Sequence, residues 1–213
     1  MLNTDHAISF LPPVLKSIPQ ELREIPQWVA WMAAPNPKKG KADKVPVDAK
    51  TGRPGSSTNP TTWASFDTAT KFYHANLGKT HTIHTKDGIK TGPIAGIGFV
   101  LTEDSQIVGI DIDGCIEPNG IVKSFALQII RRIESYTEES PSRTGVRIFV
   151  RGNIPISGFN NKAKGVEVYG TGRYLTVTGN ILPVKDSIKE NQDALDCWCR
   201  NTGQVHTNKN LPS

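Results

Sequence analysis

The sequence predicts an α+β domain in which a mainly antiparallel central sheet is flanked by helices. Short apolar segments with polar residues at alternate positions indicate strands, and they recur at 25–32, 94–100, 107–113, 146–151, 166–169 and 172–179. Two other stretches, 63–72 and 121–134, repeat apolar residues every three or four positions, which predicts helices. We expect the second helix to cover the apolar back of the sheet.

The composition is that of an ordinary globular protein, with 37% hydrophobic and 21% charged residues. No apolar run approaches the roughly 18 residues of a membrane span, and no secretory signal precedes the first strand. Three cysteines cannot all pair: Cys115 is isolated, and Cys197 and Cys199 are too close together for an easy bridge. These features predict a cytoplasmic protein. The net charge of +5 is compatible with a polyanionic partner but does not require one.

The segment 107–114 carries two carboxylates two residues apart. Because successive side chains of a strand point to opposite faces, Asp111 and Asp113 share one face, about 7 Å apart, while Ile110 and Ile112 share the other. Two like charges held this close favour a hard divalent cation such as Mg²⁺ or Mn²⁺. The alternative is a solvent-facing strand end that runs into a glycine turn. We expect 94–100 to pair with 107–113 as a hairpin.

Polar side chains on the later strands extend this acidic face. Arg147, Glu167 and either Arg173 or Tyr174 fall on outward positions of their strands. Three carboxylates with cationic side chains beside them are the groups that two-metal phosphoryl transfer requires. Arg147 can grip a triphosphate through a bidentate fork, and the turn around Ser142 offers hydroxyl and backbone N–H groups. Each residue also has a simpler interpretation, as a surface strand charge or, for Tyr174, as a packing residue.

The segment 35–60 holds six basic and two acidic residues, nearly the whole excess charge of the chain. It is interpreted either as a solvated, hairpin-like loop or as a loop that faces phosphates. On the second interpretation Lys38, Lys39 and Lys41 contact DNA and Lys44 contacts a nucleotide. The polar stretch 74–93 is predicted to be a solvent loop; His81 and His84 have zinc-ligand spacing, but nothing in the sequence completes such a site.

The ordered motifs also resemble a known family. Asp-x-Asp, Ser-Pro-Ser-x-x-Gly-x-Arg-Ile-Phe, Val-Glu-Val-Tyr and Gly-Arg-Tyr-Leu-Thr-Val-Thr-Gly follow one another as in the archaeo-eukaryotic primase superfamily. More narrowly, the chain is similar to the primase–polymerase domains of phage, prophage and plasmid replication proteins. Its early Pro-Gln-Trp-Val-Ala-Trp, Lys-Val-Pro-Val-Asp and Ser-Ser-Thr-Asn-Pro segments are similar too, so that the resemblance spans about residues 25–185.

The resemblance implies an RRM-like catalytic core and a DNA-directed nucleotidyltransferase that uses two Mg²⁺ or Mn²⁺ ions. Asp111, Asp113 and Glu167 would hold the metals, and Arg147 stands where the superfamily usually has a histidine. The implied partners are a single-stranded DNA template, a primer, nucleoside triphosphates and a replicative helicase in another domain or chain. The alternatives are a metal-dependent nuclease or phosphatase and a non-catalytic DNA-binding replication module.

The expected organisation has four parts. Residues 1–24 form an N-terminal arm, 25–185 the catalytic domain, 186–200 a C-terminal helix and 201–213 a flexible tail.

Overall fold

A computed structural model of the protein describes residues 10–154, 158–161 and 165–201. Four α-helices are present in these ranges: α1 Gln20–Glu24, α2 Phe66–Ala75, α3 Ser124–Ile133 and α4 Gln192–Asn201. The strands are β1 Trp28–Asn36, β2 Lys41–Val47, β3 Thr80–Thr85, β4 Gly88–Leu101, β5 Ile107–Ile112, β6 Tyr136–Glu139, β7 Val146–Arg151, β8 Gly158–Asn161, β9 Val166–Tyr169 and β10 Arg173–Val177.

The strands form two antiparallel sheets. The first has the order β10-β4-β1-β2, with β3 paired to β4, and the second has the order β6-β7-β5-β9-β8. This confirms the α+β class and the antiparallel pairing predicted from the sequence. The strands are divided between two sheets, however, and do not build a single central one.

The predicted hairpin between 94–100 and 107–113 is wrong. β4 pairs with β1, β3 and β10, whereas β5 pairs with β7 and β9. The connection is a tight turn in which Ser105 bonds back to Thr102 and Gln106 has a left-handed φ of 53°. This turn carries the chain from one sheet to the other and does not fold β5 back onto β4.

The two sheets pack against each other at one end. Their shared core includes large buried side chains from both, among them Trp28, Phe99, Ile107, Tyr136, Phe149 and Leu175. Gly109 lies at this contact between the sheets: a Cβ there would be 2.4 Å from Leu175 Cδ1 and 2.9 Å from Leu101 Cδ1. A residue larger than glycine would therefore require the Leu175 and Leu101 side chains to shift.

The other face of the second sheet packs against α3, as predicted. Ala126, Ile130 and Ile133 of the helix share a core with the inward residues of β5, β7 and β9. Fully burying one isoleucine side chain contributes about 1.5–3 kcal/mol, so Ile130 and Ile133 stabilise the contact of α3 with the second sheet. The helix ends at Glu134, whose left-handed conformation and N–H to the Ile130 carbonyl close the last turn.

The segment 74–93 is not a solvent loop, because residues 80–85 and 88–93 pair as a hairpin of β3 with β4. The His81 ring lies 2.8 Å from the Gly52 carbonyl and edge-on to Phe72. These contacts place His81 in packing between the hairpin, the loop at 52 and α2. Within the described residues it belongs to no group of three potential metal ligands.

The chain termini lie partly outside the described residues. In the predicted N-terminal arm, Ile18 and Leu22 are buried in the core between the sheets, so the part from Phe10 onward is attached to the domain. α4 begins at Gln192, later than the predicted 186, and the predicted tail falls outside the described part from 202 onward. The four-part division stays a prediction. No helix in the described ranges is long and apolar enough to cross a bilayer.

Candidate active site

A cleft of about 790 Å³ opens beside the shared core. β2 and β10 of the first sheet form one wall, and β5, β7, β9 and the turn before β7 form the other. Nine of the residues selected from the sequence line it: Lys41, Lys44, Asp111, Asp113, Ser142, Arg147, Glu167, Arg173 and Tyr174. Two selected residues, Lys38 and Lys39, do not; they lie exposed on the turn between β1 and β2.

The carboxylates come together because β5 and β9 are adjacent in the second sheet. Asp111 of β5 is directly opposite Glu167 of β9, which places their Cβ atoms about 5 Å apart on one face. Asp113 follows the end of β5 and is anchored by its N–H to the Gly165 carbonyl at 2.8 Å. The partial burial of Asp113 in the cleft, and then the charge of Asp111, raise the pKa of Asp113 above its ordinary value. The cleft thus concentrates negative charge at the end of β5.

Arg147 is the cation closest to this acidic group. It lies opposite Asp111 on β7, with its Nε 3.3 Å from Asp111 Oδ1 and its Nη2 3.4 Å from Asp111 Oδ2. Nη1 donates to the Thr176 carbonyl at 2.9 Å and to the Thr176 hydroxyl. Only 3% of the Arg147 side chain is exposed. Arg147 therefore joins the two walls of the cleft while it neutralises Asp111.

The turn before β7 presents hydroxyl groups to the cleft. Ser142 Oγ lies 3.1 Å from Ser140 Oγ and 3.0 Å from Thr144 Oγ1, and Arg143 between them has a left-handed φ of 62°. Thr144 also lines the cleft. The sequence pattern pointed to Ser142 and not to Thr144, although their alternate spacing within the turn was a usable signal.

Lys44 and Tyr174 are linked across the first sheet. The Tyr174 hydroxyl donates to the Lys44 carbonyl at 2.6 Å, and the ring covers Gly98, where a Cβ would be 2.7 Å from Tyr174 Cδ2. Tyr174 thus packs and also lines the cleft. Burial, and then the charge of Arg147, lower the pKa of Lys44 to about 8, against the opposing effect of Asp111 and Asp113. Lys44 is consequently a cation whose charge is lost at mildly alkaline pH.

Tyr169, which was not selected from the sequence, also belongs to the cleft. Its hydroxyl donates to Glu167 Oε2 at 2.9 Å, and the Arg173 guanidinium lies over its ring, 4.9 Å from the centroid. The signal was present in Val-Glu-Val-Tyr, since residues two apart on a strand share a face.

A second glutamate lies behind the site and outside the cleft. Glu138 is fully buried and accepts hydrogen bonds from the Tyr136 hydroxyl and from the backbone N–H groups of Thr178 and Gly179. Burial raises the pKa of Glu138, and these donors oppose the rise. The glutamate fastens the end of β10 to β6, which holds the two sheets together beneath the cleft.

The residues of the cleft fit a hard divalent ion in their chemistry. All three carboxylates supply oxygen, and Asp111 Oδ1 is buried without a hydrogen bond, although Arg147 Nε lies nearby. In the described ranges no three acidic, histidine or cysteine side chains are close enough together to hold an ion. Metal binding would therefore require these side chains to move. Arg147 would have to release part of its contact with the Asp111 carboxylate.

Sequence comparison relates the chain to one curated protein of known type. Over 170 residues it is 35% identical to a DNA primase-polymerase of Nitratiruptor phage NrS-1. The match covers 77% of this chain. The chain belongs to the same family as this phage primase-polymerase. Membership confirms the resemblance seen in the ordered motifs.

The phage relative is much longer than this chain. The chain spans about a fifth of its relative's length, since the match covers 20% of the phage protein. No protein-family model matches the chain.

Proposed function

We propose that the chain is a primase–polymerase domain that adds nucleotides to a primer on a DNA template. The observation that supports this most directly is the cleft itself, where Asp111, Asp113 and Glu167 share one space with Lys41, Lys44, Arg147 and Arg173. Carboxylates alone would serve many metal-dependent hydrolases. The added cations provide what a nucleoside triphosphate needs, namely compensation for its several negative charges.

The proposed roles follow from position. Asp111, Asp113 and Glu167 would hold two Mg²⁺ or Mn²⁺ ions, which would supply activation of the primer 3′-oxygen and stabilisation of the departing pyrophosphate. Lys44 on β2 and Arg173 on β10, at the two ends of the strand order β10-β4-β1-β2, bind triphosphate oxygens, and Ser142 donates its hydroxyl to them. Arg147 offsets the charge of Asp111, and its positive charge attracts the phosphates. Tyr174 faces the nucleotide sugar.

The nucleic acid is placed by the basic turn. Lys38 and Lys39 are exposed and Lys41 lines the mouth of the cleft, so all three can contact phosphates of a single-stranded template or of the primer. Partly exposed side chains of this kind position a strand without reading its sequence. A helicase in another domain or chain would supply the unwound template.

The test is incubation of the full chain with a 5′-labelled primer on a template, Mn²⁺ and nucleotides. Extension of the primer, lost in Asp111→Asn and Glu167→Gln, supports the proposal. Shortening of the primer would identify a metal-dependent nuclease instead. DNA binding without either reaction, unaffected by Asp111→Asn, would identify a non-catalytic replication module.

A further inference from the structure

Glu167 is held by a neighbour on its own strand. Tyr169 lies two residues along β9 on the same face, and its hydroxyl donates to Glu167 Oε2 at 2.9 Å. A hydrogen bond to an ionised carboxylate is stronger than one between neutral groups. It fixes one oxygen of a side chain that otherwise has three rotatable torsions.

The Tyr169 ring is itself held in place. Its cross-strand neighbours on β5 and β8 are both glycines, Gly109 and Gly158. At Gly158 a Cβ would be 2.6 Å from Tyr169 Cδ1, so the absence of a side chain there gives the ring its space. Arg173 covers the ring with its guanidinium 4.9 Å from the centroid, a cation–π contact. The direction of the hydroxyl is thus set by the backbone on one side and by a stacked cation on the other.

We infer that Tyr169 is a positioning residue that orients the Glu167 carboxylate for metal binding, with Gly158 and Arg173 keeping its ring in register. This inference rests on the proposed function, in which Glu167 holds a divalent ion. Partners that orient metal ligands in this way commonly change metal affinity 10–100-fold when they are removed. The bond also sets the tilt of the carboxylate toward Asp111, its direct neighbour across the sheet.

A matched pair elsewhere in the fold serves as the control. On β6 the Tyr136 hydroxyl donates to Glu138 Oε2 at 2.7 Å, again between residues two apart on one strand. That pair is buried and does not line the cleft. Tyr136→Phe and Tyr169→Phe therefore remove the same group from the same local geometry, and only one of them touches the proposed metal ligand.

The experiment measures Mn²⁺ affinity by calorimetry and single-nucleotide extension for the full chain. The set comprises the wild type, Tyr169→Phe, Tyr136→Phe, Gly158→Ala and Glu167→Gln. Tyr169→Phe is expected to weaken Mn²⁺ binding about 10-fold and to lower kcat, with the nucleotide KM unchanged within about 2-fold. Gly158→Ala should weaken Mn²⁺ binding in the same direction, because its Cβ would lie 2.5 Å from the Val168 carbonyl oxygen and 2.6 Å from Tyr169 Cδ1 and so would displace the part of β9 that carries the ring. Tyr136→Phe should lower the urea midpoint and leave Mn²⁺ affinity as in the wild type.

Three outcomes would overturn the inference. If Tyr169→Phe binds Mn²⁺ as the wild type does while Glu167→Gln does not, the positioning role fails and the proposed function stands. If Tyr136→Phe weakens Mn²⁺ binding as much as Tyr169→Phe, the effect is a general loss of stability. If the wild type binds no Mn²⁺, or Glu167→Gln binds it unchanged, the inference fails together with the metal role of Glu167.

Discussion

Arg147 and Asp111 lie opposite each other on β7 and β5, with Arg147 Nε 3.3 Å from Asp111 Oδ1. Only 3% of the Arg147 side chain and 15% of the Asp111 side chain are exposed, so neither charge is fully solvated. Arg147 also binds Thr176 on β10, which belongs to the opposite sheet. This one arginine therefore neutralises the acidic face and fastens the cleft across its base.

We predict that Arg147→Met destabilises the fold by about 3–5 kcal/mol, because it leaves a poorly solvated carboxylate without its cation. Urea unfolding measures the loss, and Arg173→Met, at an exposed cleft arginine, should cost under about 1 kcal/mol. The double variant Arg147→Met with Asp111→Asn should lose less than the two single losses combined. An Arg147→Met protein within about 1 kcal/mol of the wild type would contradict the pairing.

Nucleotide affinity should depend on pH through Lys44. The pKa of this lysine is lowered to about 8, so the side chain is charged below that pH and neutral above it. The nucleotide Kd should therefore be flat below pH 8 and rise above it, by at most about tenfold per pH unit. Lys44→Arg keeps its charge throughout and should remove this rise. Fluorescence titration of a labelled nucleotide from pH 6.5 to 9.5 tests it, and identical profiles for the two proteins would exclude the role of Lys44.

Gly109→Ala should strain the packing between the sheets. The added Cβ would lie 2.4 Å from Leu175 Cδ1, and overpacking of a core of this kind typically costs about 1–3 kcal/mol. Shortening the opposing side chain in Gly109→Ala with Leu175→Ala should make the combined loss smaller than the sum of the two single losses, as measured by thermal and urea unfolding. Additive losses would show that the sheets do not meet at these residues.

Binding of single-stranded DNA should weaken with salt, and less steeply when the basic turn is neutralised. Replacing Lys38, Lys39 and Lys41 by alanine should lower the slope of log K against log salt by up to about 2, from three lost phosphate contacts. The control replaces three exposed basic residues on other surfaces, Lys71, Arg131 and Lys185. Fluorescence anisotropy across a salt series gives both slopes. Equal slopes for the two triple variants would place the DNA elsewhere.

Side-chain alternation predicted the inward face of β5, β7 and β9, and the structure confirms it. In β5 the isoleucines Ile110 and Ile112 pack under α3 while Asp111 faces the cleft, as the spacing required. The stripe of α3 was equally informative, because a helix at the surface must bury one side.

Alternation could not predict which strands pair, and the prediction that β4 pairs with β5 was wrong. A strand pattern fixes faces but not partners, so β4 and β5, neighbours in the chain, were expected to pair and instead lie in different sheets. The polar β3–β4 hairpin was missed because its residues have no apolar alternation; its position depends on contacts such as that of His81 with Gly52. Alternation in Val-Glu-Val-Tyr places Tyr169 on the same face as Glu167, but it does not give the direction of the hydroxyl, which donates to the Glu167 carboxylate.

The central claim is that Asp111, Asp113 and Glu167 act together on a nucleotide in one cleft. The most direct measurement is a crystal structure of the full chain with Mn²⁺ and a non-hydrolysable nucleoside triphosphate, read by anomalous scattering of manganese. We expect manganese peaks within bonding distance of these carboxylates, with the triphosphate directed toward Lys44 and Arg173. Manganese bound away from all three carboxylates, or a nucleotide bound outside the cleft, would contradict the account.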